Sequence, residues 1–217
     1  MQPARIAELL QPFLPRSCDR PFTDDDLFNI STYIDLLRRW NSRINLTAIR
    51  DEEEIVTRHF GESFFAAAHL FPSRGDVTNS SPAPTVADVG SGAGFPGIPI
   101  KIWAPEISLT LIESNHKKAT FLREVVRSLR LTNIDILNAR AEELSQTFDL
   151  MTLRAVESFT KVLPIAARLV GPSGRVAFMI SSAQVAPAAA ALRLNWRPSI
   201  PVPQSDSRVL LIGEHRK

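Results

Sequence analysis

The run Val86-Ala-Asp-Val-Gly-Ser-Gly-Ala-Gly-Phe-Pro-Gly97 decides how the rest of the 217-residue chain is read. An apolar strand pattern runs straight into glycines at 90, 92 and 94, where backbone turns sharply and a ligand can approach without a Cβ in the way. A dinucleotide fingerprint, G-x-G-x-x-G counted from Gly90, would put its third glycine at position 95, which is Phe95. The dehydrogenase reading fails there. Outward from this loop, short apolar runs alternate with longer helical ones. Strands are expected at Thr85–Val89, Leu109–Glu113, Ile134–Leu137, Leu150–Leu153, Val176–Ile180 and Val209–Ile212, with helices near Gly97–Trp103, Lys117–Leu129 and Phe159–Leu169. That alternation predicts a mostly parallel sheet with helices on both faces.

Upstream the pattern is helical. Thr23 with Asp26 forms a capping pair, and Leu27, Ile30, Ile34, Leu37 and Ile44 follow a helical spacing. Asp51 to Glu54 open a second helix that runs to about Leu70. The Pro-, Ser- and Gly-rich stretch Pro72 to Pro84 reads as a loop. The expected organisation is a helical subdomain at 1–71, a linker at 72–84 and a Rossmann-like domain at 85–217.

Composition narrows the function. The chain is 44% hydrophobic and 22% charged, an ordinary globular balance that excludes default disorder. A lone cysteine, Cys18, excludes an internal disulfide framework, is expected to be inert, and leaves no Cys/His cluster with zinc spacing, so no metal is expected. No apolar run nears the roughly 20 residues of a membrane span, and the first residues lack a secretory apolar region, so a cytoplasmic protein is expected. Residues 1–70 carry eight basic and eleven acidic side chains, residues 71–217 seventeen and twelve. The later part is the positive one, a balance compatible with a phosphate backbone as partner.

Candidate site residues follow from the edge where ligands sit in open α/β sheets. Glu113, ending the second strand, can accept hydrogen bonds from both hydroxyls of a nucleoside ribose. Arg154, ending the fourth, can grip a carboxylate or a phosphate by two parallel bonds, or cap a surface. Lys117, Lys118, Arg123, Arg127 and Arg130 make the next helix basic against a single Glu124, with the three arginines on one face, a stripe that can follow phosphates and makes Lys117, Arg123 and Arg127 candidate RNA contacts. Trp40 reads as a packing residue.

The acid-x-G-x-G-x-G form led by Asp88 resembles the first motif of S-adenosylmethionine-dependent methyltransferases of the Rossmann-like class I. Four blocks make the resemblance specific: Trp40-Asn-Ser-Arg-Ile-Asn-Leu-Thr47, Arg58-His-Phe-Gly-Glu-Ser63, Asp88 through Pro99, and Phe148 through Ala155. Together they resemble the RsmG family, also called glucose-inhibited division protein B, the guanine-N7 methyltransferases of small-subunit ribosomal RNA. The resemblance implies an α/β fold with an N-terminal helical subdomain. It implies a pocket for S-adenosyl-L-methionine lined by Gly90, Phe95, Ala141, Glu142 and Arg154, with Gly92 in the loop. It also implies 16S rRNA or the 30S subunit as partner, and a role for Arg58 in contacting RNA; a monomer is expected. No Asn/Asp-Pro-Pro-aromatic motif follows strand four and no cysteine nucleophile lies near the motif, which argues against adenine-amino and cytosine-C5 acceptors. Guanine N7 has a free lone pair and needs no general base. Two departures stand out. Glu62 replaces the family's usual Asp, and Ser181-Ser182 stands where a Lys-Gly pair is common, which leaves no cation expected near the acceptor. Methyl transfer to another acceptor, or an RNA-binding assembly factor without turnover, are the alternative readings.

Overall fold

The computed structural model describes residues 1–15, 22–72, 82–155 and 159–215; Cys18 and most of the expected 72–84 loop lie outside them. Among the described residues, eight strands form one sheet. They are β1 (Thr85–Val89), β2 (Ser108–Ile112), β3 (Ile134–Leu137), β4 (Phe148–Arg154), β5 (Val170–Ser181), β6 (Leu194–Trp196), β7 (Ile200–Pro201) and β8 (Arg208–His215). The order is β3-β2-β1-β4-β5-β8-β6, with β7 on β8. The first five are parallel, and β6 and β7 join β8 antiparallel, as β8 joins β5. Strand order reverses between β1 and β4, which opens a crevice at the carboxyl ends of those two strands.

Side chains alternate across the sheet, as the strand period requires. Val86, Leu109, Leu111, Leu150, Met179 and Leu210 face one layer. Ala87, Val89, Met151, Leu153, Phe178 and Leu211 face the other. The second layer is α7 (Phe159–Arg168) and α8 (Val185–Ala191), the latter built from the alanine-rich run. The first layer holds α5 (Gly97–Trp103) and α6 (His116–Ser128), together with the N-terminal helices α1 (Pro3–Leu10), α2 (Asp24–Asn41) and α4 (Glu62–Leu70). The N-terminal segment therefore shares one continuous core with the sheet. Trp40 lies at that junction, its indole N–H donating to Glu124 of α6 at 2.9 Å and its ring against Phe121.

Two local features depart from the expected helices. Thr23 and Asp26 do form a reciprocal capping box on α2, but α2 stops at Asn41 and leaves Ile44 in a turn. The reason is Asn41 itself. Its side-chain oxygen accepts from the amides of Leu46 and Thr47, and its NH₂ donates to the Thr47 carbonyl, which folds the chain back on the helix end. The second helix is not uniform either: α3 (Glu52–Glu54) passes through a π-helical segment, Ile55–Gly61, before α4. No helix among the described residues is long and apolar enough to cross a membrane.

Candidate functional site

The crevice at the β1/β4 reversal is where the glycine loop sits. Gly90 and Gly92 hold positive φ (68° and 56°) and line a cavity of about 530 Å³. A Cβ at Gly92 would meet only the Gly90 carbonyl at 3.7 Å, so this stretch of backbone stays open to a ligand. Gly94 is different. A Cβ there would strike Ile98 at 2.7 Å, Leu122 at 3.1 Å and the Tyr33 hydroxyl, so its glycine serves packing behind the loop. Of the three glycines, Gly94 therefore answers to packing, while Gly90 and Gly92 line the cavity.

Glu113 lies just past β2, buried, with one carboxylate oxygen accepting from the Gly92 amide at 2.9 Å and the other from the Asn115 amide at 2.7 Å. A carboxylate offers about four lone-pair sites. One fixes the glycine loop and one the start of α6, and two remain for a pair of ligand hydroxyls. Ser114 and Gly90 also line a second cavity of about 420 Å³, whose walls are the apolar Val89, Ile112, Val162 and Ile165. Ala141 and Glu142 border it on a 3₁₀ turn, Ala141–Glu143. The first N–H groups of such a turn have no acceptor within it. Arg168 holds the turn in place by donating to the Glu142 carbonyl at 2.8 Å. The two cavities meet at Gly90, an arrangement suited to an elongated nucleoside with its flat ring between apolar walls.

The other wall comes from the N-terminal helices. Leu46, Thr47 and Ala48 line the larger cavity, as do His59, Phe95 and Lys118. Both faces of the Phe95 ring are covered, by Tyr33 at 5.2 Å and His59 at 4.8 Å, so Phe95 is a wall and not a stacking platform. His59 Nδ1 meets the Arg154 guanidinium at 3.2 Å, and Nε2 meets the Thr47 hydroxyl at 2.8 Å. Arg154 can only donate, so Nδ1 accepts and Nε2 carries the proton. Burial, then Arg154, Arg58 and Arg208, drive the His59 pKa down to about 3. His59 is neutral at physiological pH and has no free lone pair, so it is no general base.

Arg154 lines the cleft, as expected, and also anchors its wall. One terminal nitrogen donates to the His59 carbonyl (3.3 Å) and Ser63 (3.4 Å), the other to the Arg58 carbonyl at 2.5 Å. It also pairs with Glu62 at 3.3 Å. The guanidinium reaches the cleft wall, and its two terminal nitrogens fasten the π-helical segment to the sheet edge. Glu62, 1% exposed, receives Arg154, Arg58 (3.3 Å) and Arg208 (2.7 Å). Burial raises its carboxyl above the ordinary range and the three guanidiniums oppose that rise. Arg208 bears on the Ser181-Ser182 departure. It pairs with Ser181 across the β5–β8 ladder, so the end of β5 has a cation beside it, donated by the neighbouring strand.

Among the remaining expected contacts, Arg58 is part-exposed and also pairs with Glu54. Lys117 is exposed, and Lys118, not Lys117, lines the cleft. Arg123 and Arg127 lie at the other end of α6, on a separate groove. His59 lines the cleft from the Arg58–Ser63 block that the family resemblance pointed to, whereas Thr47 and the Leu46–Ala48 loop were not singled out as cleft-lining from the sequence. The only signal for that loop was the W-N-x-x-x-N-L-T block, whose Asn41 builds it.

Residues 27–192 match the model of the GidB family, rRNA small subunit methyltransferase G. The chain belongs to this family. Two curated GidB relatives are each named "Ribosomal RNA small subunit methyltransferase G". That of Xanthomonas campestris pv. campestris (strain 8004) is 35% identical over 190 residues, covering 85% of this chain and 84% of the relative. That of Xylella fastidiosa (strain 9a5c) is 40% identical over 149 residues, covering 68% and 65%. Among solved structures, magnesium protoporphyrin IX methyltransferase from Synechocystis PCC 6803 shares the fold at TM-score 0.62 and 11% identity, over 91% of this chain and 100% of that one. The ribosomal protein L11 methylase of Lactobacillus delbrueckii subsp. bulgaricus aligns at TM-score 0.57 and 18% identity, over 72% and 80%.

In this GidB chain Asp88, buried behind the glycine loop, and His59, on the cleft wall, couple stability to pH with opposite signs. Asp88 accepts from Thr152 (2.8 Å) and from the Gly97 amide (3.3 Å), and burial still pushes its carboxyl up to about 6. A carboxyl raised on folding favours the native state at low pH, and that contribution is lost as pH rises through 6. A histidine lowered to about 3 does the reverse, favouring the native state above 6.5 and losing that as pH falls. Between pH 4 and 6 the two partly cancel. Denaturant titrations at pH 4, 5, 6 and 7 should give Asp88→Asn a stability that climbs more steeply with pH than wild type. His59→Gln should instead fall by on the order of 2 kcal/mol over the same range. Parallel profiles for all three proteins would exclude the coupling.

Proposed function

We propose that this chain methylates N7 of one guanine in the decoding region of 16S rRNA, with S-adenosyl-L-methionine as donor, acting in the cytoplasm as a monomer on rRNA or the 30S subunit. The observation that carries the reading is the divided cleft of a GidB-family chain: open glycine backbone at Gly90 and Gly92, and Glu113 with acceptor capacity to spare. These residues fit the donor. Gly90 and Gly92 would take its amino-acid end, Glu113 the ribose hydroxyls, and Ala141 and Glu142 the adenine edge between Val89, Ile112, Val162 and Ile165. When bound, the donor supplies a methyl group on a sulfonium, an electrophile that needs no further activation.

The chain's own residues position and exclude. Neutral His59 adds no charge to the acceptor side of the cleft, and with both ring nitrogens engaged it removes no proton. N7 has none to give up at the reacting atom, so alignment and desolvation suffice. Arg58 and Arg208 leave the Glu62 cluster with excess positive charge beside the cleft, suited to a nucleotide phosphate.

The test is transfer of labelled methyl from S-adenosylmethionine to 16S rRNA and to 30S particles from cells lacking the modification. 7-Methylguanosine at a single site is the expected product. No incorporation into either substrate, with donor binding intact, would overturn the acceptor assignment. Glu113→Gln keeps the side chain's size but weakens acceptance from the ribose, and its donor Kd should rise about tenfold or more by calorimetry. An unchanged Kd would remove Glu113 from the site.

A further inference from the structure

The C-terminal half of α6 and the sheet edge at β3 enclose a second groove of about 540 Å³, separate from the methyl-transfer cleft. Its floor is apolar and half-buried: Val126, Leu131, Ile134 and Ile136. Its rim is Arg123, Arg127 and Arg130, all exposed and without an ion pair among the described residues. Among the described residues no carboxylate lines it. Asp135 alternates to the opposite face of β3. Glu124, the acid of this helix, is turned away and held by the Trp40 indole. The groove thus keeps three uncompensated guanidiniums around a surface that can take a base or ribose face.

We propose that this groove binds a single-stranded or looped segment of the rRNA away from the target guanine, its phosphates on the three arginines and a nucleoside face on the apolar floor. The proposal rests on the rRNA reading above and adds a second contact to it. Charge complementarity selects the occupant: a polyanion with flat, weakly polar faces matches both the rim and the floor. Lys118 lines the cleft and Arg127 lies nine residues further along the same helix, so the two contacts stand roughly 14 Å apart along its axis. Contacts at that distance hold substrate without touching the reacting atoms.

The test is the triple variant Arg123→Gln, Arg127→Gln, Arg130→Gln, with the triple Lys variant beside it. Binding of a decoding-region 16S fragment is followed by fluorescence anisotropy across salt concentrations, and methylation kinetics are run in parallel. In the Gln variant the slope of log affinity against log salt should shrink by about two. Its KM for RNA should rise roughly tenfold with kcat and donor Kd nearly unchanged, and the Lys variant should recover most of the slope. Unchanged RNA affinity and slope in the Gln variant would overturn the proposal. So would unchanged binding to naked RNA combined with weaker methylation of 30S particles, since the occupant would then be an acidic ribosomal protein. Arginine-dependent RNA binding by a wild-type chain that methylates no rRNA would leave the groove standing and sink the proposed acceptor.

Discussion

Glu62→Ala is expected to lower the unfolding free energy by about 3–5 kcal/mol. The residue is almost fully buried and is the shared counter-charge of three arginines. Their contributions are unequal. The side chain of Arg58 is 40% exposed and that of Arg208 26%, so water takes over much of what they lose. Arg154 is 12% exposed and keeps only neutral acceptors once the carboxylate is gone, so most of the cost falls on it. Urea titration should show the midpoint drop with an unchanged slope. Glu62→Asp keeps the charge on a shorter arm and should cost less than half as much. In an Arg154→Met background the Glu62→Ala penalty should shrink, because no buried cation is left unpaired. A loss below about 1 kcal/mol in the wild-type background would mean the cluster is held together by something other than this carboxylate.

Gly94→Ala should be about as damaging, on the order of 3–5 kcal/mol, with strain and overpacking acting together. The residue holds φ at 89°, where a Cβ is disfavoured, and the added carbon would run into Ile98, Leu122 and the Tyr33 hydroxyl. None of these can move aside cheaply. Tyr33 is fully buried, stacks on Phe95 and donates its hydroxyl to the Ala93 carbonyl, while Ile98 and Leu122 are equally enclosed. Gly92→Ala is the informative partner. It also has positive φ but faces open space, so it should cost only about 1–2 kcal/mol of stability. Its effect should appear instead as a weaker donor Kd. If Gly94→Ala melted like wild type, the packing role assigned to this glycine would be wrong; if both variants lost only donor affinity, the loop would be a ligand cradle throughout.

The parts legible in the sequence were those with a strong period or strong punctuation. The Gly97–Trp103 helix, the Thr23 cap, the β1 strand and its glycines all announce themselves locally. The π-helical segment does not, since one extra residue in a turn leaves the apolar spacing of Ile55, Val56, Phe60 and Phe64 looking α-helical. Arg154 was placed at the sheet edge, but its hold on the π-helical segment was not foreseen. Its partners are carbonyls of residues 58 and 59, and no side-chain pattern can show where a backbone oxygen points. Arg208 escaped for a related reason. The parallel reading of the sheet gives each strand one expected end, whereas antiparallel β8 brings the start of its own run against the end of β5. Gly94 shows the limit of motif logic: three glycines of one type in one loop answer to two different constraints.

The position of β8 sets an order of assembly. Arg58, Glu62 and Arg154 precede it in the chain, yet their cluster closes only when Arg208 arrives, 54 residues after Arg154. At ordinary translation speeds that interval is roughly 3–10 s. Until then the outer edge of β5 has no neighbour, and β6 and β7 have nothing to pair with. A nascent chain halted before β8 carries a complete glycine loop beside an exposed strand edge, the kind of edge that recruits other strands. Whether such a fragment survives is then a matter of timing, because the same strand that finishes the anion-facing wall also seals the sheet.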